Sequence, residues 1–111
     1  MKKMSFEIEV IKKMLKETED QNSQLQEEYD NAKKAIEEMR LRKNFLTSII
    51  NWKNNKGEDP EAFKEHFKLD EIANNYSKRK KEFDAFEEDY FKASRLNNEM
   101  LDYLNEMIKK K

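Results

Sequence analysis

His66 is the only imidazole in the sequence, and there is no cysteine. A histidine can move protons near neutral pH, but needs a partner group and a pocket that holds substrate. Its neighbour is Glu65, and the Glu-x-x-His spacing of helical di-iron sites fails because Phe63 stands three residues before it. The absence of cysteine removes thiolate metal sites and thiol nucleophiles together. Gly57 is the single glycine, so no glycine-rich loop can cradle a phosphate. The many carboxylates read as ordinary exposed helix residues. The expectation is a protein that is not an enzyme and uses neither metal nor cofactor.

Charge is the other source of chemistry. The chain holds 23 Lys and Arg against 24 Asp and Glu, a formal net charge of −1, so nothing global steers it toward nucleic acid or anionic membrane. Locally the charge is banded. Residues 17–30 contain Glu17, Glu19, Asp20, Glu27, Glu28 and Asp30 with no Lys or Arg. A basic band follows, with Lys33, Lys34, Arg40 and Arg42 in one stretch and Lys78, Lys80 and Lys81 in another. Two readings stand side by side. One is a solvated helix surface threaded with i,i+4 pairs. The other is a contact for an anion or a nucleic acid through those seven residues.

The elements that would position these residues follow from a repeat. Stepping alternately by three and four from Ile8 gives Ile8, Ile11, Leu15, Thr18, Asn22, Leu25, Tyr29, Ala32, Ile36, Met39, Lys43, Leu46 and Ile50. Ten of these 13 are apolar or aromatic, which is a coiled-coil seam. A second seam runs Leu69, Ile72, Tyr76, Arg79, Phe83, Phe86, Tyr90, Ala93, Asn97, Met100, Leu104 and Met107. Charged residues at 42% against 36% hydrophobic suit long helices rather than a compact globule.

Between the seams lie the only Gly and the only Pro. Gly57 can take the left-handed conformation that ends a helix, Asp59 is a good N-cap, and Pro60 suits a first helical position. The chain therefore reads as a single all-α domain, 1–111. Its fold is an antiparallel two-helix coiled-coil hairpin with helices over about 4–54 and 60–109, each ~75 Å long at 1.5 Å per residue. Two such hairpins have room to pair into a four-helix assembly. Taking Ile8 and Leu69 as a positions, a-to-d layering pairs numbers that sum to 115. That puts Met39 with Tyr76, Ala32 with Phe83, Leu25 with Tyr90 and Thr18 with Asn97. The seam's buried amides are expected to lock this register.

Apolar residues outside the seams gather at the two ends. The open end adds Phe6, Val10, Met14, Leu96, Leu101, Tyr103 and Ile108. The loop end adds Phe45, Ile49, Trp52, Phe63 and Phe67. A two-stranded seam leaves such side chains partly in water, and exposed apolar patches commonly mark contacts. Coverage by long charged side chains is the blander account.

Two resemblances attach to the turn. A chain of this length with Trp52 near a helical turn resembles the WXG100 family of small secreted helical hairpins. Position 54 is Asn where that family has Gly, and Tyr103 is followed four residues later by Met107 rather than an acid. The segment Asn55-Lys56-Gly57-Glu58-Asp59-Pro60-Glu61-Ala62 is similar to the tip of the N-terminal helical arm of seryl-tRNA synthetases. That resemblance implies a nucleic-acid-binding arm working through the basic band.

The residues themselves favour a non-catalytic protein–protein interaction module, a structural or adaptor coiled coil. It is expected to dock or dimerise through its apolar ends with a helical protein partner, as a homo-oligomer or a subunit of a hetero-complex. No apolar run approaches the ~18 residues of a membrane span. The acidic start lacks a signal-peptide core, so the expected location is the cytoplasm.

Overall fold

The computed structural model describes residues 2–110, with side chains from Phe6 onward. Three helices follow in order: α1 over Lys2–Asn55, α2 over Glu61–His66 and α3 over Leu69–Lys109. The fold is the all-α helical hairpin, with α1 and α3 packed antiparallel. Contacts cluster into two units. The first holds the described residues up to Asp30 together with those from Glu87 onward, and the second is Asn31–Phe86. In each, a stretch of α1 lies on a stretch of α3.

Burial follows the predicted seam of α1 closely. All 13 positions from Ile8 to Ile50 are buried or half-buried, and among α1's described side chains only Arg40 and Lys53 join them. The second seam is shifted. Arg79 and Met100, both d positions, are exposed, while Ala73, Lys80, Glu87, Ser94, Leu101 and Ile108 are half-buried. These six recur every seventh residue at the e position, next to a. Phe83, Tyr90 and Leu104, all a positions, are the buried residues of α3. So α3 presents an a/e-centred face and turns part of its d row toward solvent.

The predicted layering is displaced as well. Tyr29 stacks on Tyr90 with ring centroids 4.1 Å apart and planes 3° from parallel. Asn97 Nδ2 donates to Asn22 Oδ1 at 3.3 Å, and Lys43 Nζ lies 5.1 Å from the centre of the Tyr76 ring. Each of these α3 residues meets a partner about one helical turn further along α1 than a-to-d layering gives. Like meets like, since a stacked aromatic pair and a bonded amide pair both favour the a-to-a arrangement.

Around the stack, Tyr90 OH donates to Gln26 Oε1 at 2.6 Å and Tyr29 OH donates to Glu87 Oε2 at 2.5 Å. The bond to Glu87, then burial and the carboxylate's charge, push the Tyr29 phenol up to about 12 from its ordinary 10.0. A raised folded-state value favours the folded chain wherever the phenol stays protonated. That contribution is whole below pH ~10 and lost as pH rises through ~12. The denaturant midpoint of the wild type should therefore fall more steeply over this window than that of Tyr29→Phe.

The turn follows the sequence at Gly57, but the next helix starts one residue later than expected, with Pro60 rather than Asp59 as the N-cap of α2. Gly57 has φ +78°. Its N–H donates to the Asn54 carbonyl at 3.0 Å and Glu58 N–H to the Lys53 carbonyl at 3.0 Å, the Schellman pattern. Glu61 N–H then donates to Asp59 Oδ1 at 3.1 Å and Lys64 N–H to the Pro60 carbonyl at 2.9 Å, starting α2. A Cβ on Gly57 would meet nothing within 4 Å. Gly57→Ala should thus cost only the left-handed backbone term, about 1 kcal/mol, read from the denaturant midpoint.

The second helix is not continuous from 60 to 109, which corrects the sequence reading. It breaks at Phe67 and Lys68, where Lys68 takes φ 52°. The heptad phase of Leu69 run backwards would place Ala62 and Glu65 on the seam and turn Phe63 outward. The break changes the phase, so Phe63 is half-buried and Glu65 exposed. Covering an aromatic in place of a carboxylate offsets the left-handed residue.

Candidate functional site

At the open end, Phe6, Val10 and Met14 stand at four-residue spacing on α1, so they share one side of that helix. On α3, Met100 and Tyr103 stand three apart, one at d and one at g. The outward turn of the d row leaves Met100 42% exposed beside Tyr103 at 67%. These five residues converge on one groove of about 540 Å³, floored by Ile11, Leu104 and Met107, with Glu7 also on its lining. Ile11 and Leu104 are buried, so the floor is fixed by the hairpin core. Phe6 at 65% exposure is the most open wall on α1.

The structure treats the predicted open-end residues unequally. Phe6, Val10, Met14 and Tyr103 meet in the groove. Leu96 is exposed one turn before Met100, at a g position. Leu101 and Ile108 are half-buried at e positions, which flank the seam on the side away from g. The heptad spacing places Met100 in a core layer, whereas the structure has it walling the groove. A partial signal is the e row of α3, where Ala73, Ser94, Leu101 and Ile108 are small or apolar and Lys80 and Glu87 are charged. The structure turns this row inward and leaves Met100 on the outer side.

At the loop end the predicted residues form two groups. Phe45, Ile49 and Trp52 are exposed in succession along α1. The Phe63 and Phe67 rings touch at 4.6 Å, with His66 edge-on to Phe67 at 4.7 Å. Two lysines lie over these rings: Lys56 Nζ is 3.7 Å from the Trp52 ring centre and Lys53 Nζ 5.5 Å from that of Phe63. The aliphatic stems of both lysines thus take up part of the apolar surface the sequence offered.

The basic band is threaded with pairs. Arg40 forks onto Glu37, Arg42 Nη2 reaches Glu38 at 3.2 Å, and Lys80 Nζ reaches Asp84 at 2.7 Å. The Arg40 hydrogen bond holds the Glu37 carboxyl below its usual range. Lys33, Lys34, Lys78 and Lys81 complete the band on the two helices, and Lys34, Lys78 and Lys81 are exposed. Next to it, Ala32 and Ala35 face Phe83 and Phe86 across a cleft of about 230 Å³. Ala32 and Phe83 do share a site, but the small alanines leave it partly open. Phe91, 56% exposed with its ring 5.4 Å from that of Tyr90, is an outward aromatic the sequence reading passed over.

Among the described residues, no group of three or more His, Asp or Glu is placed to hold a metal ion, and no helix is long and apolar enough to cross a membrane. Compared with family models, with curated proteins and with solved structures, the chain shows no match.

Proposed function

We propose that this chain is a non-catalytic coiled-coil interaction module that captures a helical protein surface in its open-end groove. One observation supports this above the rest. On a surface dominated by charged side chains, Phe6, Val10, Met14, Met100 and Tyr103 are exposed together around a single apolar concavity. A groove between two helices accepts the apolar stripe of a third as a ridge enters a groove, with anchors three and four residues apart. Methionines on its walls let the packing adapt to the entering side chains.

The nucleic-acid reading draws on the basic band. It is the weaker of the two, because Arg40, Arg42 and Lys80 already spend charge on Glu37, Glu38 and Asp84. The test replaces Phe6, Val10 and Tyr103 together with Ser. All three are exposed, so far-UV circular dichroism should stay helical while assembly or partner capture is lost. Assembly that survives this change and disappears when Lys78, Lys80 and Lys81 are neutralised would assign the work to the basic band.

A further inference from the structure

We infer that the occupant of the open-end groove is a second copy of this chain, seated about a two-fold axis, so that two hairpins bring four helices together; this rests on the docking reading above. A two-fold interface uses the same patch on both partners, so that patch must hold both projections and a recess. This one does. Phe6 and Tyr103 project with about two-thirds of their surface in water, and between them lies the recess of about 540 Å³ floored by Leu104. Each aromatic can enter the other copy's groove.

The area agrees with that occupant. Two aromatics of ~150–250 Å² each, two-thirds exposed, together with the open parts of Val10, Met14, Leu96 and Met100 offer on the order of 500 Å² of apolar surface. A standard interface uses ~800 Å² per partner, a little over half of it apolar. The patch is therefore of the size that one half of a dimer interface of standard area needs. Its rim holds both signs. Glu99 and Glu106 flank Tyr103, Glu7 and Glu17 lie beside Val10 and Met14, and Lys13 and Lys110 stand among them. Mixed charge suits a copy of itself, because each sign on one rim can meet the other on its partner.

The experiment compares the full chain with Phe6→Ser/Tyr103→Ser by sedimentation equilibrium from micromolar to submillimolar, alongside binding of anilinonaphthalene sulfonate, a dye for open apolar surface. The expected result is a wild type of twice 13.5 kDa at the higher concentrations and a double variant of 13.5 kDa with equal helicity. A monomeric wild type that binds the dye, with binding lost in the variant, would overturn self-pairing and leave the groove as a site for another protein. A variant that still dimerises would overturn self-pairing through this groove, and a monomeric wild type whose dye signal the variant leaves unchanged would overturn both readings. Should the double variant lose helicity, Phe6→Glu alone makes the same comparison, since like charges brought together across the axis dissociate the pair.

Discussion

Leu104→Ala should lower stability by about 2–5 kcal/mol, while its neighbour Tyr103→Ser, read at concentrations too low for chains to associate, should change it by less than about 0.5 kcal/mol. The two residues are adjacent in sequence yet differ from 3% to 67% in exposure. Leu104 lies at an a position of α3 and forms the floor of the groove, so truncating it opens a cavity under Met100 and Met107. Tyr103 stands at g on the wall and gives up little that water does not already reach. Chemical denaturation of both variants reads the contrast directly. Equal effects would mean that α3 is rotated away from the a/e-centred face.

Phe83→Ala should be the costliest truncation in the Asn31–Phe86 unit, at about 3 kcal/mol. Loss of a buried phenylalanine costs roughly 3–5 kcal/mol, and the lower end applies where a cavity is already in contact with water. Phe83 is 9% exposed, and the cleft beside Ala32 and Ala35 lets solvent reach the space its ring would vacate. Ala35→Leu gives the complementary measurement. Filling the cleft should recover part of the lost stability, whereas a Phe83→Ala loss under about 0.5 kcal/mol would remove the ring from the core.

Most of the architecture was legible because two independent signals carry it. The three–four spacing from Ile8 to Ile50 sets one helix face, and Gly57, Asp59 and Pro60 set the reversal. Each is a local property, a period in one case and backbone torsions in the other. What failed depends on the two helices meeting. The turn of α3 toward its e row half-buries Leu101 and Ile108 and leaves Arg79 and Met100 exposed, an outcome that no single-helix repeat contains. The a-to-a layering likewise needs Tyr29 to find Tyr90 and Asn22 to find Asn97. The break at Phe67 and Lys68 has no glycine or proline to announce it, and its trace is only that Phe63 is out of phase with Leu69.

The same rotation decided how much of the candidate site could be foreseen. Phe6, Val10, Met14 and Tyr103 were readable as apolar residues off the seam, and they share the groove. Leu101 and Ile108 looked equivalent by that criterion, but they sit on the flank that α3 turns inward. Met100 was hidden by its d position. The lysines over Trp52 and Phe63 could not be read either, since Lys53 and Lys56 act there through the fold of the turn.

The most direct test of the working surface is the salt dependence of assembly or partner capture by the intact chain. Apolar docking in the groove of Phe6, Val10 and Tyr103 predicts binding that holds or strengthens as salt rises, because it removes apolar surface from water and needs no counterion release. An arm that works through Lys33, Lys34, Lys78 and Lys81 would release counterions from its partner. Its binding would fall by about 10³ or more between low and moderate salt if six or more phosphates were contacted. Affinity should stay flat or rise with salt; a steep loss would move the working surface to the basic band.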